Sequence, residues 1–229
     1  MTRILSEKYR SKVMGAEEAA RLIKNGDTIG FAGFTGSGYP KAIPVALAAE
    51  IKAAHARGDE FKVNVLTGAS TAPELDGALA EVDGVGMRMP YQSDPFMRKA
   101  INNGTSQYHD VHLSHSGPQV RAGFWGTLDW AIIEVTKIKE DGSIVPSSSV
   151  GNNNVYLECA DKIILEVNTW QSEDLEGMHD IYSAALPGHN VPIPILAAGD
   201  RIGDTVYHID FSKVVAVIET DSPDRNTPF

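Results

Sequence analysis

The segment best suited to chemistry is Gly30-Phe31-Ala32-Gly33-Phe34-Thr35-Gly36-Ser37-Gly38-Tyr39-Pro40, where an apolar run enters a glycine-rich turn and a proline opens a helix. Glycines let backbone approach a ligand closely, and free N–H groups at a helix start favour an anion. Three familiar motifs are excluded. A dinucleotide fingerprint on Gly36 and Gly38 needs a third glycine where Lys41 stands; no Gly-Lys-Ser/Thr follows for a phosphate loop; and Ser37 lacks the glycine of a nucleophile elbow, because position 35 is Thr35. What remains is a substrate- or anion-lining turn built from Gly33, Thr35, Gly36, Ser37, Gly38 and Tyr39, or a plain tight connection. A second small, polar strand exit, Thr67-Gly68-Ala69-Ser70-Thr71, either faces the same crevice or starts a helix capped by Thr71 ahead of Pro73.

Other reactive side chains offer less. His109, His112 and His115 invite a metal reading, but Tyr108 to Ser114 has the look of a strand. His109 and His115 then share one face and His112 takes the other, so three ligands do not converge and no metal is expected. His55 falls in a solvated helix tail, while His179 and His189 are candidate pocket residues. Glu134 and Glu166 sit inside apolar strands. Burial would raise their pKa values and demand partners, which suits either a structural or a catalytic carboxylate. Cys159, the single cysteine, has no neighbouring histidine to activate it and reads as packing at the start of a strand. It excludes an internal disulfide, and Asn103-Gly104-Thr105 is a formal glycosylation acceptor that matters only in a secreted protein.

The elements that must position these residues are legible as periodicity. Thr28–Phe34, Phe61–Leu66, Trp130–Val135, Lys162–Val167 and Val214–Ile218 are near-continuous apolar runs, the pattern of strands covered on both faces. Helical patterns span Ala16–Lys24, Lys41–Arg57 and Pro95–Asn103. The alternation predicts an α/β fold, a mostly parallel open sheet with helices on both faces. Trp170–Ala198 lacks periodicity and reads as a long ordered excursion with a hairpin. Asp221–Phe229 is polar, proline-marked coil and reads as the start of an inter-domain linker after a domain spanning residues 1–220.

Composition bounds the function. Twenty basic against thirty acidic side chains in 229 residues give a net charge of −10, which argues against nucleic acid and against an anionic membrane as partner. A hydrophobic content of 42% excludes intrinsic disorder. The charged stretch Met1–Val13 is no signal peptide and no run is long enough to span a membrane, so a cytoplasmic location is expected.

Taken as a set, Gly30–Lys41, Leu128–Ile138, Glu140-Asp141-Gly142-Ser143-Ile144-Val145-Pro146, Ser149-Val150-Gly151-Asn152, Leu165-Glu166-Val167-Asn168 and Glu176-Gly177-Met178-His179-Asp180-Ile181-Tyr182 resemble the acetyl-CoA hydrolase/transferase family of class I CoA-transferases. The resemblance implies two related α/β halves with a sugar-phosphate-isomerase-like fold, of which this chain is the N-terminal one. In that family a glutamate of the C-terminal half attacks the acyl-CoA, and an acyl anhydride and a glutamyl-CoA thioester carry CoA to a second carboxylate. It implies coenzyme A as a substrate and no permanently bound cofactor. Its expected partners are acyl-CoA such as succinyl-CoA, small carboxylates such as acetate, the missing C-terminal domain, and a second copy in a homodimer. No glutamate here sits in the family's nucleophile motif, so no catalytic residue is carried over and the chain alone is expected to be inactive. Only the turn from Gly33 to Pro40 maps onto a family feature, the carboxylate side of the cleft. Alternatives are an acyl-CoA hydrolase, a stand-alone carboxylate-binding module, or the non-nucleophile subunit of a two-chain transferase. A half-enzyme should also present apolar residues to its missing partner, with Phe34, Tyr39 and the Met178-His179 region as candidates.

Overall fold

In the computed structural model the chain is described over residues 2–31, 33–70, 72–186 and 188–225. Two short helices, α1 (Glu7–Arg10) and α2 (Ala16–Ala20), lead into β1 (Thr28–Phe31), and β2 (Phe34–Thr35) precedes the long α3 (Ala42–Ala56). Then come β3 (Val63–Leu66), β4 (Ala69–Ser70), α4 (Ala78–Glu81), β5 (Val85–Met89), α5 (Pro95–Asn102), β6 (Gln107–Tyr108) and α6 (Leu113–Arg121). The second part runs β7 (Trp130–Ile138), β8 (Ile144–Pro146), α7 (Asn153–Cys159), β9 (Lys162–Asn168) and β10 (Val214–Thr220).

The main sheet has the order β10-β9-β7-β1-β3-β5-β6, every neighbouring pair parallel, with β8 added antiparallel to β7. Its strands are buried on both faces. Ile132, Ile164 and Phe31 pack with Ile43, Leu47 and Ile51 of α3 on one side. Ile133, Leu165 and Val167 pack with Val155, Tyr156 and Leu157 of α7 on the other. All five expected strands are in this sheet and helices cover both faces, as the apolar runs predict.

Chain order reverses at β1. Successive strands go outward through β3, β5 and β6 on one side and through β7, β9 and β10 on the other. The gap between the C-terminal ends of β1 and β7 is therefore a topological switch point, where open α/β sheets hold their ligands. The glycine-rich turn leaves β1 there.

Several local expectations are corrected. The helix predicted over Ala16–Lys24 stops at Ala20, because its last turn tightens into Leu22 N–H to Ala19 and Ile23 N–H to Ala20 bonds and Asp27 Oδ2 then takes the Lys24 N–H at 2.8 Å. The predicted strand Thr28–Phe34 divides, since Gly33 has φ 154° and Phe34–Thr35 turn away to pair with Ala69–Ser70. Tyr108–Ser114 is not a strand beyond Tyr108. His112 precedes α6 and His115 lies on it, because small Ser116 and Gly117 let that helix seat against α7, where a Cβ on Gly117 would meet Val155 at 3.3 Å. Cys159 ends α7 rather than starting β9. The excursion forms no hairpin strands among its described residues. A bridge between Ile181 and Asp204 closes it into a loop whose described residues from Ser183 to Asp200 are all exposed. The expected Thr71 cap lies outside the described residues; the wide helical turn Pro73–Gly77 has Ala72 at its N-cap position. Among the described residues no helix is long and apolar enough to cross a membrane.

One contact ties sheet to helix. Lys41 stands at the N-cap of α3 but its side chain makes no cap, and Glu166 of β9 caps the helix instead. Glu166 accepts from the N–H groups of Lys41 (2.8 Å), Ala42 (3.0 Å) and Ile43 (2.7 Å). A buried carboxylate thus satisfies three of the helix's orphan donors and complements its dipole. Replacing Glu166 with Ala should cost about 2–4 kcal/mol by leaving those donors dry, lowering Tm by about 5–15 °C. Thermal unfolding of E166A checks this, and E166Q should lose less because it keeps an acceptor.

Candidate functional site

At the switch point a buried polar network joins six segments. Its centre is Lys41, 5% exposed, at the mouth of α3. The three donors of an ammonium group are all used: Lys41 Nζ lies 2.6 Å from Glu134 Oε2, 2.9 Å from Asp224 Oδ1 and 3.0 Å from the Tyr39 carbonyl. Glu134 Oε2 also accepts from Asn168 Nδ2 at 2.9 Å, and its Oε1 from Ser147 Oγ at 2.5 Å and Gln171 Nε2 at 2.9 Å. Asp224 Oδ1 takes the Gly38 N–H at 3.1 Å, and Oδ2 takes Ser148 Oγ at 2.6 Å and Gln171 Nε2 at 3.1 Å. Glu134 and Glu166 are register partners on adjacent strands, both fully buried. Burial pushes the Glu166 carboxyl up, against the three backbone N–H bonds that pull it down. Burial also pushes Asp224 up, but Ser148, Lys41 and Gln171 outweigh it and hold this carboxyl below the usual aspartate range.

The glycine-rich turn is built onto this network. Thr35 (φ 49°) and Gly38 (φ 64°) both adopt left-handed backbone, and a Cβ on Gly38 would stand 2.6 Å from Ser149 Oγ. Ser149 Oγ donates to the Ser37 carbonyl at 2.8 Å, and Ser37 Oγ lies 3.0 Å from Ser148 Oγ. The second strand exit does face the same place, for Phe34 and Thr35 pair with Ala69 and Ser70. Of the candidate residues, Gly33, Gly36, Gly38 and Tyr39 are buried, and Thr35 and Ser37 half-buried. Tyr39 is not the exposed partner-facing residue expected. Its ring lies 4.3 Å from Lys41 Nζ and its hydroxyl donates to Glu74 Oε2 at 2.9 Å, so burial and Glu74 drive its pKa up. Phe34 and Met178 are exposed, at 51% and 69%. Beside the network a cleft of about 560 Å³ opens between α2 and α3, walled by Glu17, Val45, Glu74, Pro223 and Arg225.

The described tail, Asp221–Arg225, is docked coil. Ser222 exchanges two hydrogen bonds with the Asn168 side chain, Asp224 enters the network, Arg225 N–H binds the Gly36 carbonyl at 2.9 Å, and Arg225 Nε meets Glu74 at 2.7 Å.

Of the histidines, His179 reaches the edge of this site, hydrogen-bonded to the backbone of Ser147. His109 packs edge-on to Trp125, His112 packs against His115, and among the described residues no group of three metal-ligating side chains converges. His55 is tied to the Phe61 carbonyl at 3.1 Å rather than fully solvated, His189 is exposed in the excursion, and half-buried His179 has its pKa pushed down by burial. Burial raises the Cys159 thiol, which suits packing and not nucleophilic work.

Sequence reasoning placed the turn but missed Lys41, Ser148, Gln171, Asn168 and Asp224 as its supports. Lys41 after Pro40 at a helix start was a signal. Asp224 carried none, since its partners lie far away in sequence.

Residues 2–221 match the family model for the acetyl-CoA hydrolase/transferase N-terminal domain. The chain belongs to that family. It is 42% identical over 226 residues to a succinyl-CoA:acetate CoA-transferase of Clostridium kluyveri, covering 99% of this chain and 41% of the relative. It is 37% identical to a propanoyl-CoA:succinate CoA transferase of Escherichia coli (92% and 43% covered) and 40% identical to an acetyl-CoA hydrolase of Saccharomyces cerevisiae (96% and 43%). The chain thus spans about two-fifths of the length of the curated relatives it matches. Among solved structures it superposes on RipA from Yersinia pestis with a TM-score of 0.65 at 20% identity (96% of this chain, 45% of that one). It also superposes on glutaconate coenzyme A-transferase from Acidaminococcus fermentans with a TM-score of 0.59 at 16% identity (92% and 76%). These two show the fold. They bear out the mostly parallel α/β fold expected from the sequence.

Two outcomes test the network. Lys41→Met leaves Glu134 and Asp224 without their cation and should cost about 3–5 kcal/mol, read by urea unfolding; K41M combined with E134Q should lose less than the sum of the two. Because Asp224 holds its proton less tightly folded than unfolded, its contribution is present above the ordinary aspartate range and lost as pH falls through its lower folded value. The Tm gap between the chain and D224N should be widest near neutrality and close below pH ~4.

Proposed function

We propose that this chain is the N-terminal half of a CoA-transferase that moves CoA from succinyl-CoA to acetate. The observation that carries the reading is the family match over residues 2–221 together with coverage of only two-fifths of relatives named for that chemistry. In the proposed reaction a carboxylate of the remaining half attacks the thioester carbonyl, forming an acyl anhydride and releasing CoA thiolate. The thiolate attacks the enzyme-side carbonyl, forming an enzyme thioester and releasing succinate. Acetate reverses the two steps and leaves as acetyl-CoA.

Within this chain, the turn Gly33, Thr35, Gly36, Ser37, Gly38 and Tyr39 lines the carboxylate side of the cleft. Glu134 and Glu166 serve as structural anchors, a role supported by the hydrogen bonds that both oxygens of each accept. An acidic chain with one cysteine supports a cytoplasmic setting. The parent protein is proposed to act as a homodimer. A second reading, acyl-CoA hydrolysis, is favoured by relatives of 40% identity named acetyl-CoA hydrolase.

The purified chain, given succinyl-CoA and acetate, should show no thioester loss and no CoA adduct by mass spectrometry. Adding the remaining half of the parent protein should restore turnover, with acetyl-CoA as product for a transferase and free CoA without acceptor for a hydrolase. Turnover by the chain alone, or a CoA adduct on Glu134 or Glu166, would overturn the reading.

A further inference from the structure

The glycine-rich turn was expected to offer N–H groups to a carboxylate, and a carboxylate is bound there, but it is the chain's own. Asp224 brings both oxygens into a cradle of the Gly38 N–H, Lys41 Nζ, Ser148 Oγ and Gln171 Nε2, each oxygen facing two donors. Ser37 Oγ stands further off, at 3.5 Å from Oδ2.

Each donor is held in place by something other than Asp224. Lys41 Nζ is fixed by Glu134 and the Tyr39 carbonyl, Gln171 Nε2 by Glu134 Oε1, and Ser148 Oγ by Ser37 Oγ. The turn carrying the Gly38 N–H is pinned by Ser149. A donor set that stays aimed without its occupant is a preorganised site. The donors come from the turn after β1, the start of α3, and the segments after β8 and β9, whereas the occupant arrives on the coil that follows β10.

The chemistry of the site selects its ligand. Asp224 is nearly fully enclosed, its side chain 3% exposed, so the space fits a planar two-oxygen group and not a tetrahedral oxyanion. With Asp224 gone, Lys41 and Glu134 remain as a balanced pair, so a monoanion completes the arrangement while a dianion meets the Glu134 charge.

We propose that this cradle is a carboxylate-binding site that the chain fills in cis with Asp224, and that a free monocarboxylate the size of formate takes it when the Asp224 carboxylate is removed. The inference rests on the cradle's geometry and not on the transferase reading, and its test contains no acyl-CoA.

The test uses the full chain carrying Asp224→Ala, with thermal unfolding in sodium formate, acetate, chloride or sulfate at matched ionic strength. D224A should melt several degrees below the parent. Formate should raise its Tm saturably, half-saturating no tighter than about 0.5 mM for a ligand of three non-hydrogen atoms, and acetate should act less because its methyl group meets the Cβ that alanine keeps. Chloride and sulfate should give no such rise, and the parent chain and the Lys41→Met, Asp224→Ala double variant should not respond to formate. D224A, and not the parent, should also broaden the 13C-formate resonance. If D224A does not fold in chloride, its folded yield in formate against chloride becomes the readout, with a severalfold gain expected. Formate acting on D224A no more than chloride, in Tm or in yield, would overturn the proposal.

Discussion

Two carboxylates side by side in the middle of a buried sheet are the constraint around which the rest is arranged. Glu134 and Glu166 are register neighbours on β7 and β9, with no solvent exposure. Like charges in such a place repel and lose their hydration, so each must find its own compensation. Glu166 finds it in the N-terminus of α3, Glu134 in the ammonium of Lys41 at that same terminus. One helix end therefore answers both. That fixes where α3 starts, the direction in which the turn before it must run, and why Lys41 occupies a position where a polar capping residue is usual.

The turn then inherits its shape from the network. The Tyr39 carbonyl and the Gly38 N–H are both bound to the charged cluster, and the serines after β8 close it from the other side. The Tyr39 hydroxyl and Arg225 share Glu74, so the wall of the neighbouring cleft is attached to the same cluster. Every oxygen of Glu134, Glu166 and Asp224 accepts at least one hydrogen bond, so these three carboxylates hold the frame together.

How much of this was legible in the sequence follows from the range of each interaction. Parallel strands buried on both faces announce themselves as apolar runs, and Trp130–Val135 and Lys162–Val167 needed no partner to be read. The glycine turn was visible for the same local reason, because left-handed backbone at Gly38 leaves a compositional mark. The errors came where packing overrode pattern. His112 and His115 went into a helix because Ser116 and Gly117 are small enough to meet α7, a fact about a distant element. Glu134 and Glu166 stood out as charges in apolar runs, but whether they were catalytic or structural depended on Lys41, Gln171 and the start of α3. Asp224 was invisible as a site residue, since proline-marked polar coil looks the same whether it dangles or docks.

The loop closed by Ile181 and Asp204 has a different kind of consequence. Its neck is tight: a Cβ on Gly203 would lie 2.0 Å from the Ile181 carbonyl oxygen, at φ 87°. Beyond the neck the described residues contribute little to the core, and Val191, Ile193, Ile195 and Leu196 point outward. The entropy of closing such a loop grows only with the logarithm of its length. Once the neck is secured, residues can be gained, lost or exchanged there at almost no thermodynamic penalty to the sheet. Sequence drift, cleavage and grafting would all find this stretch the most forgiving part of the molecule.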